Sequence, residues 1–193
     1  TITALLLDEK SGALIDKATL KNNSFIHSAM HYEKIQDPEV IIETIKRAID
    51  EITDGSDVSA IGVTGQMHGI LYLDANRSPV SPLYTWQDLR GNEIHHGNTT
   101  YADYLTETTK YKAATGFGLT THYYNTKNHL VPKSAKKLCT IHDYLVSILT
   151  NQEPIMHSSN AASLGFYDLR HHHFDNIALL DAGIDPDILP KVV

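Results

Sequence analysis

One cysteine, Cys139, stands among 193 residues. A single thiol closes no intrachain disulfide, which argues against a disulfide-stapled secreted scaffold and for a reducing, cytoplasmic setting. Its apolar neighbours in "KLCTIHDYL", Leu138 and Ile141, mark it as a small buried hydrophobe. Cations are also in deficit: 16 Lys and Arg against 23 Asp and Glu give a net charge of −7. That argues against a nucleic-acid partner, because a phosphate-binding face needs a basic excess. The short basic cluster "KSAKK", Lys133 to Lys137, reads as a solvated helix end. No apolar run approaches the length of a membrane span, so no membrane partner is expected. The opening "TITALLLDEKSG" has no basic stretch and meets acidic residues early, unlike a signal peptide. Internal repeats are missing. The one low-complexity tract, "HHH" at His171 to His173, reads as a solvated loop and not a metal site, since three adjacent side chains rarely converge on one ion.

What is present suffices for a packed domain. The chain is 41% hydrophobic and 20% charged, an ordinary balance for a globular protein, and is long enough to bury a core. "ITALLL" and "ALIDKATL" flank "DEKSG" and predict a hairpin, with Gly12 tolerating the positive φ of the turn. "SFIHSAMHY" reads as a third strand. In "DPEVIIETIKRAIDEI", Asp37 caps, Pro38 suits the first helical position, and Ile41, Ile42, Ile45, Ala48, Ile49 and Ile52 recur at helical spacing. "VSAIGVT" predicts a strand buried on both faces. "YADYLTETT" and "IHDYLVSILT" read as helices, the second ended by Asn151. "LGFYDL" reads as a late strand and "DNIALLDAG" as a short helix closed by Gly183. Strands interleaved with helices predict an α/β layer architecture.

Three segments carry residues suited to chemistry. In open α/β sheets ligands bind beyond the carboxyl ends of strands, where "TGQMHG" is expected to sit. Its glycines allow close backbone approach, and Gln66 and His68 offer donors and acceptors to hydroxyls; a tight turn with a solvent-facing histidine is the alternative. In "YTWQDLRG", Trp86 presents a flat apolar face that suits the C–H face of a sugar, beside Gln87, Asp88 and Arg90. The alternative there is a helix start with Asp88 capping, Arg90 pairing with Asp88 or Glu93, and Trp86 in the core. "MHSSNAASLG" is a loop of small polar residues, including Ser158, Ser159 and Asn160, that lines a pocket or merely turns. The G-x-G of "ATGFGLTTHYYNTKNHL" lacks the wider spacing of a dinucleotide site.

In this order, "TGQMHG", "YTWQDLRG", "ATGFG…TK", "TIHDYL", "SSNAAS" and "AGIDPDILP" resemble the N-terminal domain of the FGGY carbohydrate kinases across residues 1–193. "TWQD", "ATGFG", "TIHDY" and "NAASLG" are most similar to its sedoheptulokinases and next to its xylulokinases. The resemblance implies an actin-like, ribonuclease-H-like α/β domain, with a mixed sheet flanked by helices. It implies a partner C-terminal domain, a small-molecule sugar in the cleft and largely on this domain, and ATP with Mg²⁺ held mostly by the second domain, with neither nucleotide nor metal bound to this part alone. Carried over by position, Gln66, Met67 and His68 line the sugar pocket, Trp86 and Asp88 match a W-x-D pair beside it, and Asn160 occupies the N-A-x-S loop. Lys127 takes a structural role.

Two departures from the family pattern bear on activity. Relatives open with a strand and a D-x-G-T-T turn that approaches phosphate and metal, and "TITALLL" aligns just past it. The family's catalytic aspartate lies in a G-D-x-Q/N loop of the C-terminal half, beyond "ILPKVV". Phosphoryl transfer to a hydroxyl needs a carboxylate to accept the proton and a metal to bridge phosphate oxygens. No catalytic or metal-ligating residue is therefore expected here. The expected function is the sugar-binding half of an ATP-dependent ketose kinase, inactive by itself; the alternative is a non-catalytic sugar- or protein-binding module of actin-like fold.

Overall fold

The computed structural model describes residues 1–193. β1 (Ile2–Leu7) and β2 (Leu14–Leu20) form the expected antiparallel hairpin, with Gly12 at φ 68° in its turn. Of the third strand read from the sequence only β3 (Phe25–Ile26) pairs, against β4 (Ile35–Gln36). α1 (Pro38–Thr53) follows, its first turn closed by the Asp37 carboxylate accepting from the amides of Glu39 and Val40 at 2.9 and 3.2 Å.

Next come β5 (Leu71–Leu73), β6 (Leu83–Tyr84), β7 (Ile94–His96), β8 (Thr99–Thr100), α2 (Tyr101–Thr109) and α3 (Gly118–Lys127). β9 (Lys137–Cys139) leads into α4 (Ile141–Thr150), which starts on a Thr140–Asp143 capping box and ends with Asn151 at φ 54°. β10 (Ile155–Met156), α5 (Ser158–Leu164), β11 (Tyr167–Asp168), β12 (His173–Phe174), α6 (Asn176–Asp181) and β13 (Lys191–Val192) complete the chain. No helix is long and apolar enough to cross a membrane.

The central layer is built from short pairings. β3, β4 and β6 form one antiparallel sheet, β5 pairs with β9, and an Ile70–Tyr84 bridge joins the two. Side chains alternate across β5, so one strand feeds two cores. Ile70 and Tyr72 enter a core with Leu119, Tyr123, Leu138, Met156 and Leu164. Leu71 and Leu73 enter a second with Ile41, Ile42, Leu83, Cys139 and Leu145. The layer is thus covered on both faces, and Cys139 is buried as expected.

Four expectations are corrected. "VSAIGVT" forms no strand: residues 57–66 make no main-chain hydrogen bond, and Ile61 is 54% exposed. A strand needs a ladder partner as well as apolar residues, and the only strand β1 pairs with is β2. "TGQMHG" accordingly lies before β5, not after a buried strand. "SSNAAS" is not a loop but α5, capped by the His157 imidazole accepting from the Ser159 amide. The basic run ending at Lys137 enters β9 and is no helix end; the Lys137 ammonium donates to the carbonyls of Asp187 and Leu189.

Between β1, α1 and residues 57–66 lies a cavity of about 1160 Å³. Leu5, Ile45, Ile49 and Ile61 line its apolar length, and Gln36, Gln66, Thr85, Trp86, Gln87 and His142 form its polar end.

Candidate functional site

The two segments singled out in the sequence meet at that polar end. Ile70, just past the glycine-bracketed turn, exchanges both main-chain bonds with Tyr84, just before Trp86, at 3.0 and 2.8 Å. Gly69 allows this approach, since a Cβ there would lie 2.8 Å from the Tyr84 carbonyl oxygen. Gln66 and Trp86 line the same hollow. The Gln66 amide donates to the Gln36 side-chain carbonyl at 2.7 Å, which orients both carboxamides. Trp86 stays 53% exposed, leaving an indole surface open to a ligand.

His68 is held from three sides. Its backbone sits at φ 71°, an uncommon region for a residue with a Cβ. Its ring stacks on Phe117, with centroids 4.7 Å apart and planes 8° from parallel. Its Nδ1 lies 2.5 Å from the Ser163 carbonyl oxygen. A carbonyl only accepts, so Nδ1 carries the proton and Nε2 keeps a lone pair. The turn carrying Phe117 is itself pressed against Trp86: a Cβ on Gly116, at φ 82°, would lie 2.1 Å from the Trp86 carbonyl oxygen. The Trp86 main chain, the Gly116–Phe117 turn and the His68 imidazole are therefore packed in series.

Met67 is 53% exposed beside them. Asn160 is half-buried on α5, and its amide donates to Asp143 at 3.4 Å. Asp143 in turn accepts from the Thr140 amide at 3.0 Å and the Thr140 hydroxyl at 2.8 Å. Burial raises the Asp143 pKa above the ordinary carboxylate value.

Asp88 departs from its expected place. Its side chain is fully buried, and both carboxylate oxygens are taken. Oδ1 accepts from Arg90 Nε at 2.7 Å, and Oδ2 accepts from Arg90 Nη2 and the Lys34 amide, each at 3.1 Å. It does not line the hollow, because a buried carboxylate is stable only when its lone pairs are satisfied internally. Arg90 also reaches Glu33 at 3.3 Å and Asn125, and stacks over the Tyr84 ring with its carbon 4.2 Å from the centroid. Burial works against the guanidinium charge, yet the Asp88 bonds win and its pKa is raised. The relay continues inward: Asn125 Nδ2 donates to the Tyr72 hydroxyl at 3.2 Å, and that hydroxyl meets His122 Nδ1 at 2.8 Å. The buried ion pair thus packs against the Tyr84 ring, two residues before Trp86.

Lys127 is exposed, its ammonium 5.1 Å from the Tyr123 ring centroid. His142 and Phe117 stand within "TIHDYL" and "ATGFG" with no role expected from the sequence, and Gln36 lies outside every motif. His142 lies against the backbone of Gly65, where a Cβ would come 3.0 Å from Nε2. The glycine itself was the signal, although its partner is 77 positions away and no local pattern names it.

The sequence matches the FGGY family of carbohydrate kinases, N-terminal domain, over residues 1–193. The sedoheptulokinase of Mus musculus is 31% identical over 176 residues, 81% of this chain and 36% of that protein. The xylulose kinase of Staphylococcus xylosus is 27% identical, covering 97% of this chain and 40% of that one. The chain thus spans well under half the length of these relatives. Among solved structures, a Brucella ovis protein described as a xyloylose kinase superposes with TM-score 0.83 at 23% identity, over 99% of this chain and 40% of its own. The gluconate kinase of Lactobacillus acidophilus gives 0.82 at 20%, over 99% of this chain and 39% of its own. With its actin-like α/β fold, this chain belongs to the FGGY family of carbohydrate kinases, as the N-terminal domain.

Proposed function

We propose that this domain is the sugar-holding part of an ATP-dependent kinase that phosphorylates a primary hydroxyl of a ketose of the sedoheptulose or xylulose type. The observation that carries this reading is the shared hollow of Gln66 and Trp86, with His68 locked to the Trp86 backbone through the Gly116–Phe117 turn. The indole stacks on sugar C–H groups, the Gln66 carboxamide and the His68 Nε2 lone pair bond hydroxyls, and the exposed Met67 side chain offers an apolar contact from the turn between them. Asn160 and Asp88 act from behind, Asn160 through Asp143 and Asp88 through Arg90.

The reaction also needs ATP, Mg²⁺ and a base. The two carboxylates held behind the hollow do not fit those roles: Asp88 is engaged by Arg90 and the Lys34 amide, and Asp143 by Thr140 and Asn160. A second, C-terminal domain would supply nucleotide, metal and base, and the phosphate turn expected ahead of "TITALLL" would join them. This domain alone holds sugar without transferring phosphate. A cytoplasmic location accords with metabolite phosphorylation and with the single buried thiol.

The test is to supply the intact parent protein with ATP, Mg²⁺ and a panel of ketoses and polyols while following ADP release. Turnover of a ketose is expected, and no turnover of any member overturns the reading. The 193-residue chain should meanwhile show a sugar-dependent rise in melting temperature, since ligand at a hundred times Kd adds about 2.7 kcal/mol.

A further inference from the structure

The β11–β12 hairpin brings together three side chains that take no part in the hollow. One ligand atom from each of Asp168, His171 and His173 lies within 4.8 Å of the other two. The sequence reading of "HHH" as unable to converge holds for three adjacent residues, but the hairpin does something else. His172 takes φ 56°, a left-handed turn, and its amide bonds the Asp168 carbonyl at 2.9 Å. His171 and His173 are thereby left on a common side, with ring centroids 6.0 Å apart and planes 24° from parallel.

Asp168 and His173 are already oriented. Asp168 Oδ1 accepts from the amides of Arg170 and His171 at 2.8 and 3.1 Å, which fixes the carboxylate and leaves Oδ2 directed at His171 Nδ1, 2.6 Å away. His173 Nδ1 donates to the Phe174 carbonyl at 2.8 Å, so its Nε2 carries the lone pair. A ring nitrogen anchored on a carbonyl, with the other nitrogen free, is the arrangement that metal-bound histidines use.

We propose that Asp168, His171 and His173 form a surface site for a divalent transition metal of the Zn²⁺ or Ni²⁺ type. Two imidazoles and one carboxylate suit such ions and discriminate against Mg²⁺ and Ca²⁺, which favour all-oxygen shells. Ligand distances near 2.0–2.1 Å require the Asp168–His171 pair, now 2.6 Å apart, to open slightly and His173 to close in. The exposed rings of His171 and His173 allow that by side-chain rotation without moving the hairpin. On binding, the ion takes the place of the proton that His171 and Asp168 share, and that proton leaves to solvent. Water fills the open positions.

The experiment is isothermal titration of the full chain with ZnCl₂, NiCl₂ and MgCl₂, on the parent and on His171→Ala, His173→Ala, His173→Gln and His172→Ala. Saturable one-to-one binding of Zn²⁺ or Ni²⁺, with no Mg²⁺ response, is expected. His171→Ala and both His173 variants should weaken it at least tenfold, and His172→Ala should leave it within twofold. Melting temperatures without metal identify any variant whose loss is a folding defect, and His173→Gln, which keeps an amide to bond Phe174, covers that case for His173. Equal weakening by His172→Ala, or Zn²⁺ binding unchanged in both His173 variants, overturns the site.

Discussion

The His68 imidazole lies parallel to the Phe117 ring at 4.7 Å while its Nδ1 donates to the Ser163 carbonyl, so ring plane and tautomer are both set before any ligand arrives. Preorganisation of this kind lowers the cost of binding. His68→Ala in the intact protein is therefore expected to raise the sugar KM at least roughly tenfold, the ~1.4 kcal/mol scale of one hydrogen bond. Steady-state kinetics with ketose varied at saturating ATP reads it directly, and an unchanged KM removes His68 from the pocket.

Gly116 transmits the position of Trp86 to the Phe117 turn. At φ 82°, with the Trp86 carbonyl 2.1 Å from a would-be Cβ, Gly116→Ala meets both backbone strain and a steric clash. A loss of more than about 1 kcal/mol of stability is expected, together with weakened sugar binding because the Phe117 ring on which His68 stacks is displaced. Urea unfolding and a sugar titration on one preparation test both halves. Full stability would show that the turn yields freely.

The buried Asp88–Arg90 pair makes a different prediction. Arg90→Ala leaves the Asp88 carboxylate dry and unpaired, which costs about 3–5 kcal/mol. Replacing both, as Asp88→Asn with Arg90→Met, removes the stranded charge and should recover part of that loss. Comparing chemical denaturation of single and double variants decides the matter. Near-additive losses would show that the pair is not coupled.

His122 sets a pH dependence. Burial lowers its pKa from 6.5 to about 4. Between those values the unfolded chain binds the proton and the folded chain does not, so stability rises with pH across this window. The contribution is fully present above pH 6.5 and falls as pH drops toward 4, by about 3 kcal/mol in all. His122→Asn keeps an acceptor for the Tyr72 hydroxyl but cannot titrate. The difference in unfolding free energy between parent and variant should therefore shrink or reverse toward the acid side, while carboxylates common to both cancel. A difference independent of pH would mean that His122 titrates normally in the fold.

Much of this molecule was legible in one dimension. The α1 periodicity, the Asp37 cap, the Gly12 hairpin and the helix end at Asn151 all arise from residues within a few positions of one another, where capping and side-chain period act. The motif order from "TGQMHG" to "AGIDPDILP" placed the chain in its family for a similar reason, because each motif is a local stretch. What depended on partners distant in the chain was not legible. "VSAIGVT" carries a strand's composition, but hydrogen-bond partners decide whether a strand forms, and here none lies alongside. The pairing of Arg90 with Asp88 was one of the two readings open in "YTWQDLRG", but nothing in that segment tells that the pair would be buried in a dry interior among Glu33, Asn125 and Tyr84. His68 owes its orientation to Ser163, 95 positions away. Residue chemistry and local geometry were thus determined by the sequence as written. Which groups share a wall, and which carboxylates remain free for a ligand, was decided only when packing removed water and forced each buried polar atom to find its partner.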